Sequence, residues 1–464
     1  MKSYKFSNLA LPKAMIKNLE SLGFQTLTPI QQESLPPILE KKDIIAQAKT
    51  GSGKTAAFGI GLLLNLDTKT KKPSSLILCP TRELADQVAG EVRRLARHME
   101  NVKVLTLCGG TPIWPQLRSL DHGAHIVVGT PGRIQDHLKR NSLKLQSLKT
   151  LVLDEADRML DMGFEEEINY IADLAPASRQ TLLFSATYPT QIKEISKHLQ
   201  MDPVKVEAET VHKPNKIRQV FVEVEDSKKN KTTKTDALIY VLGHYKIPSA
   251  VIFCQTKLQC DQLADALYDS GFFVEALHGD MEQRQRDEVL TLFAGGSISL
   301  LIATDVAARG IDIKNLPAVI NYDLPRNPET YVHRIGRTGR SDKEGLAISL
   351  FNQKDSRKIT DIENYTKKPI EKNQGHKLQG YHQPPMPPKS TIRIEAGKKN
   401  KMRPGDILGA LTKDGSIGAS AVGNINIFPY HSYVAVNRSL IKKAQNTLNS
   451  KPIKGRRFKA KIIR

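Results

Sequence analysis

The sequence predicts an α/β protein made of two parallel-sheet domains and a small third domain with βαββαβ order. Short apolar segments alternate with helical patterns twice within the first 350 residues. Such continuous apolar strands are typical of parallel sheets that are covered on both faces. After a proline-rich stretch, the pattern changes to short alternating strands and two further helices. The 464 residues are enough for several domains that each bury a core.

The two halves of the first 370 residues each contain a series of predicted strands. In the first half the predicted strands are 43–46, 75–79, 125–128, 150–153 and 180–184. In the second half they are 250–253, 299–303, 318–321 and 346–350. The polar segment 209–215 separates the halves, so the predicted domains are residues 1–208 and 216–370.

Residues 371–389 are predicted to form a linker, because the prolines around Pro384 favour an extended tether. The last domain then covers residues 390–464. Its predicted strands are 391–395, 424–428, 433–436 and 457–462, and its predicted helices are 403–411 and 439–448. This order is that of an RNA-recognition-motif fold.

The charge distribution indicates a polyanionic partner. Residues 371–464 contain 19 Lys and Arg but 4 Asp and Glu, and contribute +15 of the net charge of +21. A basic tail on a nearly balanced body favours nucleic acid, although it could also be a merely solvated segment. Cysteines 79, 108, 254 and 260 lack metal-binding spacing and are interpreted as small buried residues. Without a signal sequence or a membrane-spanning apolar run, a cytoplasmic protein without a membrane partner is expected.

A phosphate-binding loop is predicted between strand 43–46 and a helix over 56–66. Thr50, Gly51, Ser52, Gly53, Lys54 and Thr55 form this loop, in which Ala48 stands at the usual first glycine. The glycines let backbone N–H groups surround phosphate oxygens, and the helix N-terminus favours negative charge. Lys54 is expected to contact the β- and γ-phosphates, and the Thr55 hydroxyl to bind Mg²⁺. The expected cofactors are therefore ATP and Mg²⁺.

The segment Asp154-Glu155-Ala156-Asp157 follows the predicted strand 150–153. Carboxylates at the C-terminal end of a parallel strand face the same crevice as the phosphate loop. Asp154 is expected to hold Mg²⁺ through water, and Glu155 to orient or deprotonate the attacking water. Taken alone, the four residues could equally be a polar loop.

With this tetrapeptide, the chain resembles the DEAD-box RNA helicases over residues 6–350. The resemblance includes Thr28-Pro29-Ile30-Gln31, Pro80-Thr81-Arg82-Glu83-Leu84, Gly109-Gly110, Thr130-Pro131-Gly132-Arg133, Ser185-Ala186-Thr187, Ala303-Thr304-Asp305, Arg309-Gly310-Ile311-Asp312 and His333 to Arg340. It implies two RecA-like domains that close on ATP and RNA, with hydrolysis stimulated by RNA.

The resemblance also implies a role for each motif residue. Phe24, Gln31 and Asp312 are implied to contact adenine or other parts of ATP. Coupling of hydrolysis to strand separation falls on Asp157, Ser185, Thr187 and His333. RNA-backbone contacts fall on Pro80, Arg82, Gly110, Thr130, Gly132, Arg133 and Thr304. Arg337 and Arg340 are implied as arginine fingers that stabilise charge on the departing phosphoryl group.

The tail resembles that of the DbpA group of bacterial DEAD-box helicases through the segments 402–411 and 453–459. This implies recognition of a large-subunit ribosomal RNA hairpin, with pre-ribosomal particles as partners and a role in subunit assembly. Ile392 and Ile394 stand where stacking aromatics often lie, and Tyr433 alone nearby could stack, so loops and basic edges are expected to bind instead. The candidate phosphate contacts are Arg456, Arg457, Lys459 and Lys461. Trp114 is interpreted as a packing residue.

Two other functions remain open at this point. An ATP-gated RNA clamp or remodelling scaffold would keep the ATPase but separate strands poorly. A DNA translocase would be stimulated by DNA as well as by RNA. The form of the tetrapeptide and the tail both argue against the translocase.

Overall fold

The computed structural model describes residues 4–48, 51–188, 190–207, 217–224, 233–308, 316–339, 344–367, 370–374, 384–413 and 415–463. The described residues 4–207 form one compact unit, and those from 217 to 463 form a second. Among the residues described, no helix has the length and apolar character needed to cross a membrane.

The first unit contains a seven-stranded parallel sheet with helices around it. The strands are β1 (Ile44–Gln47), β2 (Ser75–Leu78), β3 (Val104–Leu107), β4 (Ile126–Gly129), β5 (Thr150–Asp154), β6 (Gln180–Ser185) and β7 (Val204–Glu207). The helices are α1 (Lys13–Ser21), α2 (Pro29–Leu39), α3 (Lys54–Leu64), α4 (Arg82–Leu95), α5 (Trp114–Asp121), α6 (Pro131–Lys139), α7 (Ala156–Asp161), α8 (Glu165–Asp173) and α9 (Thr190–Leu199). The strand order is β3-β4-β2-β5-β6-β1-β7.

The strands that could be predicted from the sequence are mainly those whose residues are buried on both faces of the sheet. Strands β2, β4, β5 and β6 are buried along their whole length, and apolar clusters cover each face of the sheet. Each of the five predicted strands overlaps an observed one. The edge strands β3 and β7 were not predicted, and in β7 the exposed residues Lys205 and Glu207 interrupt the apolar run.

The second unit begins with another seven-stranded parallel sheet. Its strands are β8 (Ile217–Glu223), β9 (Ala250–Cys254), β10 (Val274–Leu277), β11 (Leu300–Thr304), β12 (Ala318–Asn321), β13 (Gly345–Phe351) and β14 (Glu371–Gln374). Its helices are α10 (Lys234–His244), α11 (Lys257–Asp269), α12 (Gln283–Ala294), α13 (Asp305–Ala308), α14 (Pro328–Ile335) and α15 (Ser356–Thr366). The strand order is β10-β11-β9-β12-β13-β8-β14, and four of these strands were predicted.

The predicted linker does not begin at residue 371. Residues Glu371–Gln374 form the edge strand β14, which pairs in parallel with β8. Arg218 on β8 forms a bidentate hydrogen-bonded ion pair with Glu371. Because the strand is short, polar and at the sheet edge, its sequence lacks the apolar run that marks the inner strands.

The tail has the predicted βαββαβ order. Its elements are β15 (Lys389–Ile394), α16 (Pro404–Thr412), β16 (Val422–Ile427), β17 (Ser432–Asn437), α17 (Ile441–Ser450) and β18 (Ala460–Ile463). The antiparallel sheet has the order β16-β17-β15-β18. Ile392, Ile394, Val434 and Val436 are buried in a cluster shared with residues of α16 and α17.

The other face of the tail sheet packs on the second parallel-sheet domain. The Tyr433 hydroxyl donates to Glu288 on α12 at 2.6 Å, and the hydroxyls of Ser297 and Thr391 lie 2.6 Å apart. The Asn424 amide donates to the Ala294 carbonyl. Tyr433 is consequently 1% exposed. The proline-rich stretch predicted an independent tether, but the tail rests on α12 and the turn after it.

The tail sheet also corrects the interpretation of two residues. Ile392 and Ile394 were placed at the positions of stacking aromatics, yet they are core residues. Successive side chains of a strand point to opposite faces, so a one-residue error in register exchanges the faces. The face that the isoleucines were expected to form carries Thr391 and Tyr433 instead, and both are buried.

A close contact between α2 and α3 generates the first prediction. A Cβ on Gly61 would lie 2.2 Å from the Ile38 Cγ2 atom, whereas a Cβ on Gly90 in α4 would have nothing within 4 Å. We expect Gly61→Ala to destabilise the first unit by about 1–3 kcal/mol, because the branched Ile38 side chain cannot yield freely. Gly90→Ala should be neutral or stabilising by up to about 1 kcal/mol. Calorimetry of both variants measures the difference, and equal midpoints would contradict it.

The Tyr433 hydroxyl generates the second prediction. Tyr433→Phe removes a hydrogen bond to a carboxylate, and such bonds contribute about 1.5–3 kcal/mol. We expect amide hydrogen exchange in β15 and β17 to accelerate accordingly, since the tail would separate more often from α12. Tyr430→Phe is the matched control, because Tyr430 is exposed. Unchanged protection in Tyr433→Phe would show that the hydroxyl does not stabilise the packing.

Candidate functional site

The candidate ATP residues of the first unit lie at the carboxyl edge of its sheet. The phosphate loop follows β1, Asp154 ends β5 and Ser185 ends β6. These three strands are neighbours in the order β5-β6-β1. Loops at the carboxyl ends of parallel strands form the usual ligand crevice of such sheets.

The phosphate loop has the backbone geometry that its glycines predict. Gly51 and Gly53 have φ of +84° and +95°, which is the left-handed region that glycine adopts without strain. A Cβ on Gly53 would also lie 2.6 Å from the Gln31 amide nitrogen. Helix α3 begins at the next residue, Lys54, and Thr55 follows as a half-buried residue. Thr50 lies outside the described residues.

Gln31 connects the start of α2 to this loop. Its Nε2 atom donates to the Gly53 carbonyl at 3.0 Å, and its Oε1 atom accepts from the Thr28 N–H at 2.9 Å. Phe24 is half-buried and meets Phe6 edge to face, with ring centroids 6.1 Å apart. Gln31, one of the residues implied as an adenine contact, therefore lies against the phosphate loop.

Lys54 and Asp154 form a buried ion pair at the centre of the site. The Lys54 ammonium lies 2.6 Å from Asp154 Oδ1 and 3.9 Å from Glu155 Oε1. Burial lowers the pKa of Lys54, but the Asp154 and Glu155 carboxylates outweigh it and raise the pKa. Burial raises the pKa of Asp154, although Lys54 opposes this shift. The charged pair is thus held where it is shielded from water.

The residues present fit a magnesium ion. Asp154 is 0% exposed, and apart from the Lys54 ammonium its carboxylate oxygens have no hydrogen-bond partner in the part of the chain that is described. The buried Ser52 hydroxyl likewise lacks a partner there. A carboxylate and a hydroxyl are ligands that Mg²⁺ prefers.

Glu155 is held in a strained and specific position. Its φ and ψ are 56° and 52°, a left-handed conformation that is uncommon for a residue with a side chain. The Arg158 guanidinium donates to Glu155 Oε2 at 2.6 Å, and both residues are buried. Strain of this kind clusters at functional sites. Sequence reasoning missed Arg158, although its spacing of three residues from Glu155 on a short helix was a usable signal.

Asp157 joins the end of β5 to the segment after β6. Its Oδ2 atom accepts from the backbone N–H groups of Ala186 and Thr187 and from the Thr187 hydroxyl, at 3.0–3.1 Å. The Ser185 hydroxyl donates to the Thr187 carbonyl at 2.6 Å. The structure therefore brings together three of the residues implied to couple hydrolysis to strand separation, namely Asp157, Ser185 and Thr187.

The candidate RNA residues of the first unit occupy the other half of the same edge. Pro80 and Arg82 follow β2, Gly110 follows β3, and Thr130, Gly132 and Arg133 follow β4. The strand order β3-β4-β2 makes these loops neighbours. Both η-nitrogens of Arg133 donate to the Thr111 carbonyl, at 3.2 and 3.1 Å. A Cβ on Gly132 would have nothing within 4 Å, so backbone is open there.

Trp114 is not a packing residue. It begins α5 after the loop that contains Gly110, and it is 72% exposed. The interpretation as a core residue rested on the usual burial of large apolar side chains, which says nothing about a residue at the start of a surface helix.

Two candidate residues of the second unit, Thr304 and His333, lie next to elements that a buried arginine connects, and sequence reasoning assigned that arginine no role. Arg334 donates to both carboxylate oxygens of Asp305 at 2.6 and 2.8 Å, and to Asn321 Oδ1. It thereby links α14, which carries His333, to α13, which follows the buried Thr304. Arg337 lies just after α14 and is half-buried. Asp312 and Arg340 lie outside the described residues.

The basic residues proposed for the tail are all exposed. Arg456 and Arg457 lie in the loop before β18, Lys459 precedes that strand, and Lys461 lies on it. The Lys454 ammonium, one turn away, donates to the Lys401 carbonyl and pairs with Asp406. The tail thus presents its candidate phosphate contacts at a loop and a sheet edge.

Three family models match successive parts of the chain. Residues 28–195 match the DEAD/DEAH box helicase family, and residues 233–342 match the helicase conserved C-terminal domain. Residues 391–462 match the DbpA RNA binding domain.

Relatives cover the same parts. The ATP-dependent RNA helicase DbpA of Escherichia coli is 47% identical and covers 99% of both chains. A DEAD-box ATP-dependent RNA helicase CshA of Bacillus cereus is 45% identical over 79% of this chain and 69% of its own. The structure of S. cerevisiae Dbp5 bound to RNA and ADP BeF3 is 31% identical, with a TM-score of 0.71 over 80% of this chain and 96% of that one. With its two RecA-like parallel-sheet domains and its antiparallel tail, the chain belongs to the DEAD-box ATP-dependent RNA helicases of the DbpA type.

Proposed function

We propose that this RNA helicase is directed by its tail to a hairpin of large-subunit ribosomal RNA and acts on pre-ribosomal particles during assembly of that subunit. The observation that carries this proposal is the match of the tail to the DbpA RNA binding domain, together with 47% identity to a DbpA over 99% of both chains. The tail's exposed arginines support it, because phosphate contacts supply most of the affinity for RNA.

For ATP hydrolysis, we propose roles for the residues around the phosphate loop. Backbone N–H groups of the loop and the Lys54 ammonium bind the β- and γ-phosphates. Phe24 and Gln31 contact the adenine from α2 and the turn before it. Glu155, held by Arg158, orients the attacking water and accepts its proton. Arg337 and Arg340 are proposed to stabilise charge on the departing phosphoryl group.

Thr55 and Asp154 would hold the magnesium ion, Asp154 partly through water. A bound ion of this kind neutralises negative charge that develops on the phosphate oxygens. The chain's own contribution is a buried carboxylate whose one hydrogen-bond partner in the described residues is the Lys54 ammonium.

For RNA, we propose that the loops after β2, β3 and β4 bind the sugar–phosphate backbone without reading sequence. Thr304 extends this set in the second unit. Asp157, Ser185, Thr187 and His333 are proposed to couple ATP hydrolysis to strand separation. Sequence preference then comes from the tail, with Arg456, Arg457, Lys459 and Lys461 as phosphate contacts.

Glu155→Gln tests the catalytic proposal. The substitution keeps the shape of the side chain but removes the group that accepts a proton. We expect RNA-stimulated kcat for ATP to fall about 10²- to 10⁴-fold, because general-base catalysis contributes that much, while ATP binding persists. The measurement is steady-state ATPase activity together with nucleotide affinity.

Glu91→Gln is the matched control for that substitution. Glu91 pairs with Arg94 at 2.8 Å and three residues away, as Glu155 pairs with Arg158, but on the surface of α4. It should leave kcat unchanged. Equal activity of Glu155→Gln and Glu91→Gln would remove Glu155 from the mechanism.

Arg456→Ala with Arg457→Ala tests the targeting proposal in the full-length protein. The RNAs are a large-subunit ribosomal fragment that contains the candidate hairpin and an unrelated RNA of equal length. We expect the substitutions to weaken binding to the ribosomal fragment and to reduce the slope of log affinity against log salt by roughly 1.5–2, since two phosphate contacts are lost. ATPase stimulation by that fragment should fall in parallel.

Lys442→Ala with Lys443→Ala removes the same charge from the exposed face of α17 and serves as the control. If both pairs of substitutions weaken binding equally, the tail is a general basic anchor. Equal stimulation of the ATPase by the two RNAs would also overturn the targeting proposal. The protein would then be an RNA-dependent helicase that does not prefer the ribosomal hairpin. A strand-separation assay in parallel distinguishes a helicase from an ATP-gated clamp, which would hydrolyse ATP but separate strands poorly.

A further inference from the structure

Trp114 is an exposed indole that the proposed ATPase and RNA contacts do not use. It is the single tryptophan of the chain, and 72% of its surface is exposed. Tryptophan is largely buried on average, because its side chain carries a large apolar area. An indole kept in water at the start of α5 is therefore a candidate for contact with a ligand.

A network of hydrogen bonds around the buried Gln116 side chain fixes the loop that carries the Trp114 indole. The buried Gln116 side chain donates through Nε2 to the Cys108 carbonyl at 3.0 Å and to the Thr111 hydroxyl at 2.9 Å. Its Oε1 atom lies 2.9 Å from His137 Nε2, and the other ring nitrogen of His137 is 2.8 Å from the Ser142 hydroxyl. This network spans residues 108–116 and ties the loop to α6. The indole thus stands on a preorganised base, which lowers the entropy lost on binding.

The surroundings of Trp114 are suited to a nucleic-acid strand. The Thr111 carbonyl, in the same loop, accepts both hydrogen bonds from Arg133. Cβ atoms on Gly109 or Gly132 would meet nothing within 4 Å. Close packing inside the protein therefore does not explain why glycine occupies these two positions. Arg118, one turn along α5 from Trp114, is exposed. An aromatic ring beside cationic groups and open backbone is the combination that binds single-stranded nucleic acid.

We propose that Trp114 stacks on an unpaired RNA base, next to the backbone segment bound by the loops after β3 and β4. The proposal rests on the proposed RNA-binding role of Gly110, Gly132 and Arg133. Stacking is tolerant of sequence, because every base has a π-face, so Trp114 adds affinity for unpaired RNA without adding sequence preference. The indole consequently favours RNA with unpaired bases over RNA that is fully paired.

Because the chain has one tryptophan, its intrinsic fluorescence reports this contact directly in the full-length protein. The probes are a single-stranded uridine oligomer and an abasic oligomer of equal length with the same sugar–phosphate backbone, each with a non-hydrolysable ATP analogue. We expect the uridine oligomer to quench the emission and to shield Trp114 from acrylamide. The abasic oligomer should bind but leave the emission unchanged.

Trp114→Ala supplies the second measurement, with fluorescence anisotropy of the labelled oligomers as the readout. We expect roughly 5- to 150-fold weaker binding of the uridine oligomer, in line with the loss of one stacked base, and no change for the abasic oligomer. Trp114→Phe should recover part of the loss. Tyr268→Ala removes an equally exposed aromatic side chain from α11 and should change neither affinity.

Two results would overturn the proposal in different ways. If the uridine oligomer binds and stimulates the ATPase, while Trp114 emission and the affinity of Trp114→Ala are unchanged, RNA binding stands and the indole faces a protein partner instead. If neither oligomer binds nor stimulates the ATPase, the proposed RNA-binding role of the loops fails and the stacking proposal fails with it.

Discussion

The buried contact between the Lys54 ammonium and the Asp154 carboxylate is the interaction around which the first unit is organised. Removing both charges from water is costly, and their attraction offsets that cost only when the geometry is good. The sheet supplies this geometry, because β1 and β5 flank β6 and end at the same edge. A nucleotide phosphate would compete with Asp154 for the ammonium, and a cation would compete with Lys54 for the carboxylate. In the structure, each partner neutralises the charge of the other.

The same edge explains how a change at the phosphate loop can reach the loops proposed for RNA. Asp154, Glu155 and Asp157 lie within one turn of chain, and Asp157 holds the Ala186-Thr187 segment through three hydrogen bonds. Strand β5 borders β6 on one side and β2 on the other, so it separates the part of the sheet proposed to bind ATP from the part proposed to bind RNA. A shift of the Asp154–Asp157 segment would therefore displace loops on both sides of β5. Coupling of this kind needs no long pathway, because the two sets of loops are neighbours.

The sequence predicted what depends on local pattern and missed what depends on tertiary partners. Inner strands such as β5 and β12 were recognisable because both faces are buried and the apolar run is continuous. Edge strands such as β14 were not, because half of their surface faces water. Lys54 and Asp154 were identified because the phosphate loop and the acidic tetrapeptide have a fixed spacing. Arg158 and Arg334 were missed, since their importance comes from the carboxylates they meet in the folded chain. Ile392, Ile394 and Trp114 were assigned the wrong environments, because hydrophobicity does not show which face is covered.

The packing of the tail determines where its RNA contacts can lie. In an RNA-recognition motif the open sheet face commonly stacks bases, but here Thr391 and Tyr433 are buried on that face against α12 and the turn after it. The tail's positive charge is therefore useful only where side chains remain in water, such as the loop that carries Arg456 and Arg457. RNA bound at that loop, as proposed, would be connected to the second parallel-sheet domain through a buried contact rather than through the proline-rich segment alone. The covered sheet face is thus unavailable for stacking, and its packing fixes the position of the proposed RNA-binding loop relative to α12.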